Sequence, residues 1–440
     1  MIPRFVNVCA APCMLFAQAA TAQPDGGAVD ARPGASVQSL LQTDGLAGNW
    51  WGLRDDLEER GLALNAEYVA EFTSVVDGGI NQRGSFRNLL TVDAELDLGT
   101  AFDIDGGVLF FRYLSVNAEA GGSADAGDIQ VYSNIESGRS LDVIYELWYE
   151  QSLFDDVLRI KVGKVDANSE FNYVDAAGDF SNSSAGFSPT IFALPTYPDP
   201  ATSFNVFAGV VDRGGVVVAV GYGLYDGALA ADGVATGRRG PSTFLSDDRS
   251  SDYFHIAQIE VTWQSARSSS GFWRDGRVTV GGWHHDGRFE RFGGGVERGT
   301  SGFFATGEAR VFDPRASVAE DGREGLAAGG PAGIYAFGQY GWADDAISEV
   351  AQHFAGGVVC RGLAASRPND SFGLYTTLAV LSDRPSAGFS SNELAFDAYY
   401  RVQLAPAIFV QPEVQYIVNP SGDAALDDAL VLGFRVGLVF

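Results

Sequence analysis

The feature that most constrains this chain is a two-residue alternation of apolar and polar side chains, repeated in segment after segment. "LNAEYVAEF" sets Leu64, Ala66, Tyr68, Ala70 and Phe72 against Asn65, Glu67, Val69 and Glu71. "LTVDAELDL" sets Leu90, Val92, Ala94, Leu96 and Leu98 against Thr91, Asp93, Glu95 and Asp97. "VIYELWYE" puts Tyr145, Leu147 and Tyr149 opposite Glu146, Trp148 and Glu150, and "LRIKVGK" puts Leu158, Ile160 and Val162 opposite Arg159, Lys161 and Gly163. "ELAFDAYYRVQL" opposes Leu394, Phe396, Ala398, Tyr400, Val402 and Leu404 to Glu393, Asp397, Arg401 and Gln403. A period of two belongs to extended strands with one apolar face.

A soluble sandwich alternates in the same way, but three observations favour a membrane barrel. Several runs stay regular over about 9–12 residues, enough for a tilted strand to cross a bilayer, whereas ordinary strands average about 5–6. Tyr, Trp and Phe gather near the ends of the runs, where interfacial girdles lie. Acids and arginines share the polar faces, as they would around water. The expected fold is all-β: a transmembrane antiparallel barrel, whose closed ladder pairs every backbone group within lipid. Residues 61–440, at roughly 24 per strand and connection, give about 16 strands, within a range of about 14 to 18.

The amino end begins "MIPRFVNVCAAPCMLFAQAATAQ", with Arg4, an apolar run and Ala20-Thr21-Ala22. Residues 1–22 therefore read as a cleaved secretory signal peptide. Cys9 and Cys13 leave with it, so Cys360 stands alone and no internal disulfide is expected. Residues 23–45 read as a flexible periplasmic lead-in. Residues 46–61 carry a short periplasmic helix with Asn49 as N-cap and Gly61 as stop, and 62–440 form the barrel. Longer connections at 119–139, 166–205 and 228–250 are expected opposite the tight turns. Glycine (55 residues) and aromatics (12%) are abundant together, which suits strands and turns. The formal charge of −27 argues against nucleic acid as a partner. Export and a barrel together place the chain in the outer membrane of a Gram-negative bacterium.

The carboxyl end, "LVLGFRVGLVF", alternates Leu432, Phe434, Val436, Leu438 and Phe440 with Gly433, Arg435, Gly437 and Val439. It reads as a last strand closing on the first, which leaves no open edge. Its terminal Phe440, preceded by the alternating apolar residues Phe434, Val436 and Leu438, resembles the signal read by the outer-membrane barrel assembly machinery.

Three blocks resemble the carbohydrate-selective porins, the OprB family. They are "LAGNWWGLRDDLEERGLALNAEYVAEFTSVVDGGI" (46–80), "LRIKVGKVDANSEF" (158–171) and the closing segment 396–440, with "QPEVQYIVNP" and "ALVLGFR". The middle, 206–395, matches only in its alternating texture. The resemblance implies a 16-stranded outer-membrane barrel through which sugars diffuse passively. Its partners would be outer-membrane lipid and small carbohydrate solutes, with homotrimer formation left open and no cofactor.

A sugar channel needs donors and acceptors for hydroxyls, held weakly enough to release the solute. Arg offers rigid multidentate donors, and Asp and Glu accept. The inward parity supplies Glu67, Asp93, Glu95, Glu146, Glu150, Arg159, Lys161, Arg401 and Arg435, and the turn after "KVGK" adds Lys164, Asp166 and Asn168. Arg112 shares parity with Phe110, Leu114 and Val116, so simple alternation would face it to lipid at about 2–4 kcal/mol. Either a bulge resets its face towards the lumen or it lies in the interfacial belt. The segment 164–200 either folds inward, bringing Asp166, Asn168, Asn182 and Phe187 near the solute, or forms a lid outside. The only histidines are His255, His284, His285 and His353, and "WHHDG" puts the adjacent pair on opposite faces, a poor start for a metal site. "DIDGG" (103–107) reads as a hairpin turn and not a calcium loop. No G-x-S-x-G elbow or P-loop is present, so a barrel enzyme is a weaker alternative than a general diffusion porin.

Overall fold

The computed structural model describes residues 45–118, 121–227, 240–244, 252–264, 275–312 and 332–440. The signal peptide expected at 1–22, nearly all of the 23–45 lead-in and most of the 228–250 connection lie outside the described residues. Sixteen strands form one closed antiparallel barrel. They are β1 (Leu62–Asp77), β2 (Gly84–Asp97), β3 (Gly107–Ala118), β4 (Leu141–Leu153), β5 (Leu158–Val165), β6 (Ala201–Arg213), β7 (Val216–Asp226) and β8 (Tyr253–Gln264). The wall continues through β9 (Asp275–Glu290), β10 (Val296–Phe312), β11 (Gly333–Ala343), β12 (Val350–Arg361), β13 (Ser371–Leu381), β14 (Glu393–Ala405), β15 (Ile408–Val418) and β16 (Ala429–Val439). Neighbours in sequence are neighbours in the wall, and β1 closes it by pairing with β16, with Phe72 opposite Phe434. The Phe440 N–H donates to the Ala66 carbonyl at 2.9 Å, so the ladder runs to the last residue described.

The alternation sorts side chains as the barrel requires. Phe72, Phe434, Leu432, Phe396, Leu374, Ile259 and Val280 stand exposed on the outer face, where lipid covers them. The opposite parity of the same strands points inward. At the end that carries the described termini, turns are mostly short. Gly214-Gly215, both with positive φ (65° and 79°), join β6 to β7 in a two-residue turn that other residues enter only with strain. The connection 313–332 at this end is longer and lies almost wholly outside the described residues. The short helix occupies Leu53–Glu58 after a 3-10 turn at Trp50–Gly52. The Asn49 side chain reaches the Asp55 N–H (3.3 Å) from before that turn, and Gly61 (φ 86°) ends the segment.

The other end carries the long connections. Residues 121–140 and 166–200 fold into the barrel and are buried along most of their length. The second loop is shorter than the expected 166–205, because β6 begins at Ala201. Both loops bring their own apolar core. Phe171, Phe187, Ile191, Leu194 and Tyr197 pack with the inward wall residues Leu114, Val116, Tyr145, Tyr225, Phe254, Trp283 and Phe304. Phe180 packs with Phe337, Tyr375 and Tyr399. At Gly341 of β11 a loop packs against bare wall backbone: a Cβ there would lie 2.0 Å from Ser188 Oγ and 2.3 Å from Thr190 Oγ1.

Candidate functional site: the lumen wall and its infolded loops

The inward parities of β1, β2 and β16 carry a row of charges at one level. Cα pairing puts Glu71 opposite Arg435 on one side and Arg87 on the other. The Glu71 carboxylate accepts from Arg87 (2.7 Å), from Arg435 Nε (2.9 Å) and from Ser133 of the first loop (2.5 Å). Arg435 also donates to Asn134 Oδ1 (2.8 Å), and Arg87 lies 3.5 Å from Glu136. The wall charges therefore hold the 121–140 loop at the closing seam. Sequence reading named Arg435 but missed Glu71 as its partner and Arg87 as the second cation on Glu71. Strand register makes them partners, and a single strand's pattern does not carry register.

Arg112 faces the lumen. Its side chain lies between Asp93 (2.6 Å) and Glu146 (3.2 Å), and its Cα registers with Asp93. This corrects the expectation that its parity faces lipid. Phe110, Leu114 and Val116 also point inward, where they meet loop side chains, and Leu109 stands on the outer face. A bulge does occur here, but in β4. Arg112 pairs with Glu146 and Tyr113 with Ile144, so Tyr145 turns inward beside Glu146 and does not join Leu147 outside.

The 166–200 loop crosses the lumen and is stapled by three of its acids. Glu170 binds Lys161 and Arg159 (2.8 Å to Arg159), Asp175 lies 3.3 Å from Arg277, and Asp179 lies 3.1 Å from Arg401. These cations come from β5, β9 and β14, three separated parts of the wall. Burial alone would push the Glu170 carboxyl up, but Lys161 and Arg159 outweigh it and hold it below the ordinary glutamate range. Asp166 and Asn168, expected near the solute, are turned into the loop. Asp166 accepts from Tyr145 and from the Asn168 N–H, and Asn168 donates to the Phe171 and Gly186 carbonyls. Asn182 caps a short turn through the Ser184 N–H, and Phe187 is 2% exposed. Lys164, also expected in the lumen, belongs to the outer face. It registers with the exposed Leu147 and donates to the Ile144 carbonyl (2.6 Å).

Near the loop that crosses the lumen, wall cations lie against aromatic rings. Lys161 Nζ is 3.8 Å from the Trp148 ring centre, Arg159 is 4.2 Å from Phe207, and Arg277 is 3.9 Å from Tyr173. Arg361 covers Tyr335 at 4.9 Å, and Arg401 covers Phe409 at 3.5 Å. Trp148 also stacks on Phe110 with centroids 4.8 Å apart. Glu150 bonds Arg159 (2.9 Å) and Lys161 (3.1 Å), while Glu260 and Glu308 flank Arg277 (3.8 and 2.5 Å). Glu67 and Glu95 share the lumen parity, and Glu95 is exposed there. The arrangement offers fixed N–H donors, carboxylate acceptors and ring faces close together, which suits reversible contact with a hydroxylated solute.

The sequence matches the family described as "Carbohydrate-selective porin, OprB family" over residues 84–440. The chain belongs to this family. The match runs unbroken through the middle, where sequence reading found only alternation, whereas the resemblance at 46–80 lies outside it. The chain is 21% identical to Porin B of Pseudomonas aeruginosa, across 90% of this chain and 91% of that protein. A high-pH structure of Pseudomonas putida OprB superposes with a TM-score of 0.75, at 17% identity, over 91% of this chain and 99% of that one. A low-pH structure of the same protein gives 0.54 at 16% identity over the same shares. These likenesses agree with the sixteen-stranded architecture. Membership makes the chain a carbohydrate-selective porin, and family members of this kind reside in the outer membrane.

Proposed function

We propose that the chain conducts glucose-type monosaccharides or small oligosaccharides passively across the outer membrane into the periplasm, with no energy coupling. The observation that carries this reading is the alignment of paired charges with aromatic rings around the loop that crosses the lumen. A neutral sugar needs both: hydroxyls exchange hydrogen bonds with Arg and Glu, and the apolar face of the ring lies on an aromatic side chain. Residues 1–22 would be removed on export, and Phe434, Val436, Leu438 and Phe440 would serve the assembly machinery. The outward placement of Phe434 supports that role.

The test is conductance of the purified protein in planar bilayers. A steady ohmic current that glucose or a short oligosaccharide reduces in a saturable way supports the reading. Current indifferent to a panel of sugars points to the second reading, a general diffusion porin. Among the described residues the enzyme alternative has two Ser–His contacts: an exposed one between Ser301 Oγ and His284 Nδ1 (2.8 Å), and a second in which Ser188 Oγ lies 3.1 Å from His353 Nδ1. Both residues of the second are fully buried, and the other ring nitrogen of His353 meets the Thr377 hydroxyl (2.8 Å) instead of a carboxylate. That pair reads as a brace for the loop.

A further inference from the structure

The base of the 121–140 loop carries a charge imbalance that the channel reading does not use. Asp128 is 7% exposed, and neither of its carboxylate oxygens has a hydrogen-bond partner. The Ser123 hydroxyl beside it is equally buried and equally unpartnered. The carboxylate of Glu393, at the start of β14, accepts from the N–H groups of Ile129 (2.8 Å) and Gln130 (3.0 Å), the two residues after Asp128. It also accepts from the Ser421 N–H (2.7 Å), and the Ser421 hydroxyl donates to the Gly127 carbonyl. Two carboxylates, two hydroxyls and a carbonyl thus converge where the first loop, β14 and the β15–β16 connection meet.

No described Arg or Lys is ion-paired with either carboxylate. Arg87 of β2 is held by Glu71 (2.7 Å) and Glu136 (3.5 Å), and Arg139 of the loop itself by Asp199 (2.9 Å). A buried charge of this kind is tolerated only when something neutralises it.

We propose that Asp128, Ser123 and Glu393 hold a hard divalent cation, Ca²⁺ in the first place, which ties the first infolded loop to β14 and to the β15–β16 connection. The donors are all oxygen, the choice of Ca²⁺ and Mg²⁺ over transition metals. Among the described residues no three His, Cys, Asp or Glu side chains group to hold a metal ion, so neutral oxygens and water complete the shell. Such a site belongs in the weak class used outside cells, with Kd of about 10⁻⁴–10⁻³ M. The inference does not depend on which solute the channel passes.

The experiment uses the full chain, refolded free of lipopolysaccharide, stripped with EDTA and titrated calorimetrically with CaCl₂, with thermal unfolding in parallel. Saturable binding in that range, a Tm that rises with Ca²⁺, and affinity weakened at least tenfold in Asp128→Asn support the site. Ser123→Ala, which keeps both carboxylates, should weaken binding less; if Asp128→Asn fails to fold, this variant and Glu393→Gln carry the comparison. The proposal is overturned if no saturable heat appears up to about 10 mM Ca²⁺, well above the expected Kd. It is equally overturned if the folded variants bind as the unaltered chain does, which would place the cation elsewhere.

Discussion

Replacing Glu71 by Gln tests whether the closing seam of the barrel is held by buried charge. Glu71 is 2% exposed and lies between Arg435 and Arg87, each one strand away at the same level. An exposed ion pair is worth about 0–1 kcal/mol, because water replaces what is lost. Here water has little access, and the amide would leave two guanidinium groups facing one another. Breaking a buried pair on one side costs about 3–5 kcal/mol. Glu136 still lies 3.5 Å from Arg87, and Asn134 still accepts from Arg435, so the lower end applies. A loss of about 3 kcal/mol is roughly a 150-fold shift in the folding equilibrium. Urea unfolding of the refolded barrel, followed by tryptophan fluorescence and gel mobility, reads it. The double variant Glu71→Gln/Arg435→Met removes the surplus cation and should recover most of the loss. Glu71→Gln within about 0.5 kcal/mol of the parent, the range of an ordinary surface change, would refute the reasoning.

Three further expectations concern the lumen. Trp148→Ala removes a ring held between Lys161 and Phe110, and should raise the sugar concentration that half-blocks the current about fivefold, equivalent to about 1 kcal/mol; the same titration in the parent is the check. Gly341→Ala would put a Cβ 2.0 Å from Ser188 Oγ, so the 166–200 loop must shift. A loss of about 1–3 kcal/mol and altered single-channel conductance are expected, and an unchanged current would be contrary. Glu170 has a lowered folded pKa, so its contribution is complete above the unfolded value of about 4.3 and is lost as pH falls through the folded one. The conductance difference between Glu170→Gln and the parent should therefore hold from pH 7 to 5 and shrink below about pH 4; shrinkage already near pH 6 would contradict the assignment.

Sequence made the outer face of the barrel legible because lipid imposes a single rule on it. Leu432 and Phe434 on β16, Phe72 on β1 and Phe396 on β14 all point where alternation put them. The rule weakens inside, where two environments share one parity. Beside Glu95 and Glu150 the inward face is polar as expected, but on β3 the same parity carries Phe110, Leu114 and Val116, because the folded loops supply an apolar partner there. "VLFFRYLSV" carries apolar residues on both parities, the mark of a strand covered on both sides, and Arg112 looked misplaced only if one side was taken to be water. Asp166 and Asn168 failed as solute contacts for a related reason. Short polar side chains in a buried loop must first satisfy that loop's own backbone. Lys164 failed through position alone, since one step along β5 from Gly163 moves a side chain from lumen to lipid.

The charges of the lumen make a sharper argument once they are taken in pairs. The inward cations Arg87, Arg112, Arg159, Lys161, Arg277, Arg401 and Arg435 each meet a carboxylate from a neighbouring strand or an infolded loop. Each such pair is a strong local dipole with a weak field at a distance, because opposite charges a few ångströms apart largely cancel beyond about a Debye length of 8–10 Å. Ions gain little from a pair of this kind. A solute with many hydroxyls gains more, since it donates to the carboxylates and accepts from the guanidinium groups without separating them far. The charges that staple the 166–200 loop are thus the same groups that suit the lumen to neutral polyols, so loosening a staple such as Arg277–Asp175 should alter sugar affinity and loop order together. Arg277→Gln would separate this from a purely structural role: sugar block and conductance noise change in concert if the reasoning holds, and noise alone changes if it fails.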